Sequence, residues 1–137
     1  MSLDPALAGR TFPATPPYTV SREKIAEFTE AISAEPIDGG RTAPLTFPIV
    51  IAFGAMRTLM SDPDVGMELR NVVHGDQRFE QVRPVVAGDE LVATLTVDSV
   101  RVAAGMDMVA TRTAIATTSG EPVATAFALL LHRGEAS

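Results

Sequence analysis

Two different periods divide this sequence. From Leu69 onward apolar and polar residues alternate with a period of two, whereas before it apolar residues recur at helical spacing or run together. The alternation predicts four strands, near Asn71–Val82, Glu90–Val102, Met106–Thr118 and Pro122–His132. Turn chemistry separates the four at Ala87-Gly88-Asp89, Ala103-Ala104-Gly105 and Ser119-Gly120-Glu121. Along the second strand Leu91, Ala93, Leu95 and Val97 share an apolar face, and Thr94, Thr96 and Asp98 face away. The last strand, Val123 to Leu131, is apolar on both faces, which predicts cover on both sides.

The first half reads differently. Pro5, Pro13, Pro16 and Pro17 break up residues 1–17 and predict an irregular segment. Tyr18-Thr19-Val20 is a short extended stretch leading into a helix. Ser21 is placed to cap that helix, which runs from Arg22 to about Ala34 with Glu23 in its first turn. Ile25, Phe28, Ala31 and Ile32 fall on one face, and Lys24, Glu27 and Glu30 on the other. A second helix opens at Pro48 and continues from Ile49 to Met60, stopped by Asp62-Pro63-Asp64. It is apolar all the way round, so burial on every side is expected. Gly54 in its middle costs up to about 1 kcal/mol against Ala, and close packing on a sheet is the simplest reason to keep it. A buried helix followed by an antiparallel sheet long enough to wrap it is an α+β layer architecture, here one domain over residues 1–137.

Composition narrows the chemistry. With 46% hydrophobic and 20% charged residues, the chain has the make-up of an ordinary globular protein. It has no Cys, which removes disulfides and thiolate chemistry, and its two histidines, His74 and His132, are too few for a histidine-rich metal site. No metal or cofactor is expected. A net charge of −6 and a single lysine, Lys24, disfavour nucleic acid as a partner. The longest apolar run, Pro48 to Met56, is about half of the roughly 20 residues a bilayer span needs, so no membrane partner is expected. Met1 to Thr11 lacks the apolar core of a signal peptide, and a cytoplasmic location is expected. Arg57, Arg70, Arg78 and Arg83 read as solvated charges. A docking patch for an acidic carrier protein would have to be built locally from arginines such as these.

Several short motifs then occur in one order: Tyr18-Thr19-Val20-Ser21-Arg22-Glu23-Lys24-Ile25, Ala43-Pro44-Leu45-Thr46-Phe47, Gln77-Arg78-Phe79-Glu80, Arg83-Pro84-Val85-Val86-Ala87-Gly88-Asp89 and Val97-Asp98-Ser99-Val100-Arg101. In these the chain resembles the MaoC-like hot-dog dehydratases. It looks like the N-terminal-type subunits among them, which include the non-catalytic partner in mycobacterial (3R)-hydroxyacyl-ACP dehydratase heterodimers. The resemblance implies a hot-dog fold, an antiparallel sheet wrapped around a long helix, and a dimer in which two such helices lie side by side. It implies an acyl-CoA or acyl-ACP thioester as substrate. The implied reaction is reversible loss of water from a (3R)-3-hydroxyacyl thioester to give a trans-2-enoyl thioester.

That reaction needs a base for the C2 proton and an acid for the leaving hydroxyl, both within hydrogen-bond reach. It also needs preorganised donors for the thioester oxygen. Catalytic MaoC members place an Asp and a His ahead of the buried helix. In this chain the corresponding segment, Ser33 to Thr42, holds Asp38 but no His, and no Asn-Pro follows the Asp. The dyad is absent. Asp38 and Glu35 are a possible acid or simply turn carboxylates beside Gly39-Gly40.

His74 is the only central histidine, in a His74-Gly75-Asp76-Gln77 pattern that related sequences often carry. It is open between a base, a substrate contact and an ordinary strand residue. Thr46, Phe47 and the start of the buried helix are expected to line or cap the pocket. Phe53, Met56 and Met60 are candidates for a tunnel wall, with core packing as the alternative. Asp89 reads as a turn residue, and His132 as a strand-end residue with no visible partner.

Three functions follow. The leading one is a dehydratase or hydratase subunit that shapes the acyl tunnel while a MaoC-like partner supplies Asp and His. The second is a non-catalytic homodimer binding acyl-CoA or acyl-ACP. The third is a weak hydratase or thioesterase using His74, although the segment from Pro48 to Met60 lacks the carboxylate that hot-dog thioesterases use. A DNA-binding regulator would need a segment for which this acidic chain has no room.

Overall fold

The computed structural model describes residues 3–133. Its elements in chain order are β1 (Tyr18–Thr19), α1 (Arg22–Ala31), α2 (Pro48–Met60), β2 (Val72–Gln81), β3 (Glu90–Ala103), β4 (Met106–Thr117) and β5 (Pro122–Arg133). Short 3-10 turns lie at Pro5–Leu7, Asp38–Gly40 and Leu69–Asn71. The five strands form one antiparallel sheet in the order β1-β3-β4-β5-β2.

Register shifts at Val97/Ser99, His74/Asp76 and Ile115/Ala116 curl the sheet, because a bulge bends its strand and increases the local twist. α2 lies in the concavity. Its Ile51, Ala52, Ala55, Met56 and Leu59 are buried together with Leu91, Ala93, Leu95 and Val97 of β3. Each large apolar side chain so buried stabilises the fold by about 1.5–3 kcal/mol. This is the hot-dog arrangement.

Five details differ from the sequence expectation. α1 ends at Ala31, three residues short of Ala34, because Ser33 turns into the left-handed region at φ 56°. Its buried face is therefore Ile25 with Thr29, whose hydroxyl donates to the Ile25 carbonyl at 2.6 Å, while Ala31 and Ile32 are exposed. Residues 9–15 are also not free of the sheet. The amides of Gly9, Phe12 and Thr15 donate to the carbonyls of Val97, Leu95 and Ala93, so this segment continues the β1 edge along β3. Pro13, Pro16 and Pro17 carry no N–H and leave that edge few donors for another strand. The opposite edge, β2, is ten residues long and has no strand beyond it among the described residues.

Third, β5 is covered on one face only. Ala124, Ala126, Ala128, Leu130 and His132 are buried, but Thr125, Phe127, Leu129 and Leu131 are half-exposed. The Arg78 guanidinium stacks 3.9 Å over the Phe127 ring and is part of what shields that face. Fourth, α2 is not buried on every side: Phe53 is 47% exposed, and Gly54 and Arg57 share its open flank. Fifth, close packing against the sheet does not explain Gly54. A Cβ there would meet only the Thr15 side chain, at an ordinary 3.6 Å.

Candidate functional site

The open flank of α2 forms one wall of a groove of about 1010 Å³. Val50, Phe53, Gly54, Arg57 and Met60 recur along it at helical spacing. The opposite side is built by Thr15 to Tyr18, Leu69, Val72, His74 and Leu130, with Lys24 from α1. Most of this lining is apolar. Its titratable members are Tyr18, Lys24, Arg57 and His74, and among the described residues no Asp or Glu lines the groove.

β2 aims His74 inward through a bulge. Val72 pairs with His132 and His74 with Leu130, both buried partners on the concave side. The register then slips at Gly75, so Gln77 opposite Ala128 also faces inward. His74 Nε2 and Gln77 Oε1 consequently lie 2.9 Å apart. The His74 ring meets the Phe53 ring edge-on, with centroids 6.3 Å apart.

The expected site residues separate into two groups. Phe53, Met56 and His74 line the groove, as does Met60. Thr46 and Phe47 do not. Phe47 is fully buried with its ring 5.3 Å from that of Phe28, so it packs the core, and Thr46 is exposed at the approach to α2. Asp38 is exposed in the turn after α1, with φ 52°, and lies outside the groove lining. The backbone before α2 is also largely committed: the amides of Phe47, Ile49 and Val50 donate to the carbonyls of Pro44, Thr46 and Phe47. Little of the helix N-terminus is left to bind a developing oxyanion.

Several groove residues were not foreseen as such, among them Lys24, Gly54 and Arg57. Gly54 and Arg57 could have been found from their spacing with Phe53, had the helix been given an open face. No signal in the sequence brings Lys24 to this wall.

Two polar clusters lie apart from the groove. Arg83 is not simply a solvated charge. Its guanidinium donates twice to the Asp89 carboxylate, at 2.9 and 3.1 Å, and pairs with Glu121 at 2.9 Å. Asp89 also accepts from the Val86 amide, so it does more than close a turn. Burial raises the Asp89 carboxyl, but the hydrogen bonds from Arg83 and Val86 and the Arg83 charge outweigh it and hold the group below the usual carboxylate range. The same Asp89 hydrogen bond raises Arg83.

His132 likewise has partners, contrary to expectation. Its Nε2 accepts from the Glu68 amide at 3.2 Å, and its Nδ1 faces Asp107 Oδ2 at 3.6 Å. Asp107 Oδ2 accepts from the Leu3 amide at 3.1 Å. The two side chains are 3% and 2% exposed, and His132 Nδ1 and Asp107 Oδ1 make no hydrogen bond. Among the described residues no three His, Cys, Asp or Glu side chains gather to hold a metal ion. Among these residues no helix is long and apolar enough to cross a membrane.

Comparisons with known proteins agree with this architecture. A family model described as FAS1-like, dehydratase domain region, matches residues 39–126. A UPF0336 protein of Leifsonia xyli subsp. xyli is 43% identical over 97% of this chain and 97% of its own length. Among solved structures, the C-terminally truncated HadBC complex, a (3R)-hydroxyacyl-ACP dehydratase from Mycobacterium tuberculosis, has a chain that superposes with a TM-score of 0.79. It is 28% identical, covering 96% of this chain and 99% of that one. A MaoC-like dehydratase superposes with a TM-score of 0.77 at 29% identity, covering 93% of this chain but 42% of the other.

Proposed function

This chain belongs to the FAS1-like dehydratase family, and on that premise we propose that it is one subunit of a (3R)-3-hydroxyacyl-thioester dehydratase or enoyl hydratase. It shapes the acyl groove, and a second hot-dog chain of the MaoC type completes the site with an Asp and a His.

The observation that carries this reading is the groove itself. It is mostly apolar, has a volume of about 1010 Å³, and is bounded by the open flank of α2 and the inner face of β2. Dehydration requires one group to take a proton and another to give one. The groove offers a single imidazole, His74, and no carboxylate. An acid–base pair must therefore come from elsewhere.

The fold suggests where. One sheet edge is occupied by the proline-interrupted segment 9–19, and the other is the outer side of β2, a long strand beside the groove with no neighbour there among the described residues. An unpaired edge of this length is a template for strand addition. A second hot-dog unit added there would bring its own residues over the α2 flank. The similarity to a chain of the HadBC complex supports such a partnership. So does the MaoC-like dehydratase chain, which is more than twice as long as the part this chain matches.

A second reading rests on His74, which points into the groove against Phe53 and is held by Gln77. In that reading the chain hydrates enoyl thioesters weakly on its own. Enoyl-CoA hydration measured on the purified chain, and then on the chain co-expressed with a MaoC-like partner, separates the two.

A further inference from the structure

Lys24 and Arg57 are the two cations that line an otherwise apolar groove, in a protein whose net charge is −6. Neither is strongly neutralised. Arg57 forms no ion pair among the described residues, whereas Arg70, Arg78 and Arg83 are each paired with a carboxylate. Lys24 has one long contact, 3.8 Å to the exposed Glu27. With no Asp or Glu in the lining, the groove presents positive charge beside apolar surface. The chemistry it suits is an amphiphile with an apolar tail and a compact anionic end.

Resting on the acyl-thioester reading above, we propose that Lys24 and Arg57 hold the phosphate end of a coenzyme A thioester, so that this chain takes the coenzyme A form of the substrate and not the carrier-protein form. Coenzyme A concentrates several phosphate charges at one end of its pantetheine arm, a target that two point cations on a groove wall can meet. An acidic carrier protein offers one phosphodiester at the end of the same arm, spreads the rest of its charge over a surface, and needs an equally broad basic patch to dock. A net charge of −6 works against such a patch, and Arg70, Arg78 and Arg83 are already engaged by Glu68, Glu80 and the Asp89–Glu121 pair. Lys24 and Arg57 are thus specificity residues for the carrier. The acyl chain lies along Phe53, Met56 and Met60.

The test compares three probes on the full-length chain: dodecanoyl-CoA, dodecanoyl-pantetheine, which lacks phosphate, and dodecanoyl acyl carrier protein. A charge-assisted contact to phosphate is worth about tenfold in affinity. Dodecanoyl-CoA is expected to bind at least about tenfold tighter than dodecanoyl-pantetheine. Arg57→Gln and Lys24→Gln should each remove much of that margin, weakening dodecanoyl-CoA more than dodecanoyl-pantetheine, and show less dependence on salt. A margin that persists in both variants overturns the proposal. So does equal binding of dodecanoyl-CoA and dodecanoyl-pantetheine, an outcome that leaves the acyl-groove reading standing. Carrier-protein binding as tight as that of dodecanoyl-CoA, and weakened by the same substitutions, overturns the choice of carrier. Failure of all three probes to bind overturns the acyl-groove reading together with the proposal.

Discussion

His74 and Gln77 hydrogen-bond side chain to side chain at 2.9 Å, although residues three apart in a regular strand point to opposite faces. The bulge at Gly75 makes this possible and puts both residues on the concave face of β2, with His74 lining the groove. His74 is thereby a wall residue with a fixed orientation, beside Phe53. It has no carboxylate to work with.

If a partner supplies the acid and base, His74→Ala in the assembled enzyme should lower kcat by less than about tenfold, because loss of a true general base costs 10²–10⁴-fold. KM for the acyl thioester should rise more than kcat falls. Steady-state kinetics on the complex decide this. A loss of kcat on the order of 10³ with unchanged KM would make His74 the base.

Gly54→Ala should stabilise the isolated chain by up to about 1 kcal/mol, since helical Gly is costly and the new methyl meets only Thr15 at 3.6 Å. The same methyl narrows the groove, so acyl-thioester affinity should fall. Denaturant melts and a binding titration on one sample check both. A destabilised variant would mean that α2 packs more tightly at this point than the Thr15 contact indicates.

The Arg83–Asp89 bridge predicts an acid-sensitive element. Asp89 is held below its ordinary value of 3.8, so its contribution to stability is fully present above that value and is lost as pH falls through the folded value. Asp89→Asn should therefore lower stability near neutral pH by about 1–3 kcal/mol and flatten the acid limb of the stability curve. Unfolding measured between about pH 2 and 7 tests the sign, because the linkage window opens only below the unfolded carboxylate value. An acid limb as steep in the variant as in the parent would assign the acid loss to other carboxylates.

At the far end of the sheet, His132→Ala removes the acceptor of the Glu68 amide and leaves Asp107 buried without its neighbour. A cost of about 1–3 kcal/mol is expected. Hydrogen exchange should also quicken at Glu68 and Leu3, whose amides this pair anchors. Unchanged exchange at both amides would show that the pair does not hold these segments.

The strands were legible because a period of two is a strong signal: the strand expected near Asn71–Val82 is Val72–Gln81, and the one near Met106–Thr118 is Met106–Thr117. The Ser21 cap and the Pro48 start were legible for the same reason, as local backbone chemistry. What the pattern concealed was non-local. The prolines at 13, 16 and 17 mark residues 9–15 as irregular, yet the amides between them pair with β3. Asp107 and His132 meet only because β4 and β5 place them opposite one another. The open flank of α2 was hidden for a different reason. A side chain kept apolar for a ligand or a partner subunit has the same hydropathy as one kept apolar for the core, so Phe53 and Phe47 look alike in sequence. One is half-exposed on the groove and the other is fully buried.

The central claim is that this chain forms the acyl groove but not the acid–base pair. Enoyl-CoA hydration by the purified chain, alone and then co-purified with a MaoC-like hot-dog partner, tests it most directly. The account expects no measurable hydration by the chain alone and robust hydration by the pair, abolished by removing the partner's Asp or His. Hydration by the chain alone, lost on His74→Ala, would contradict it.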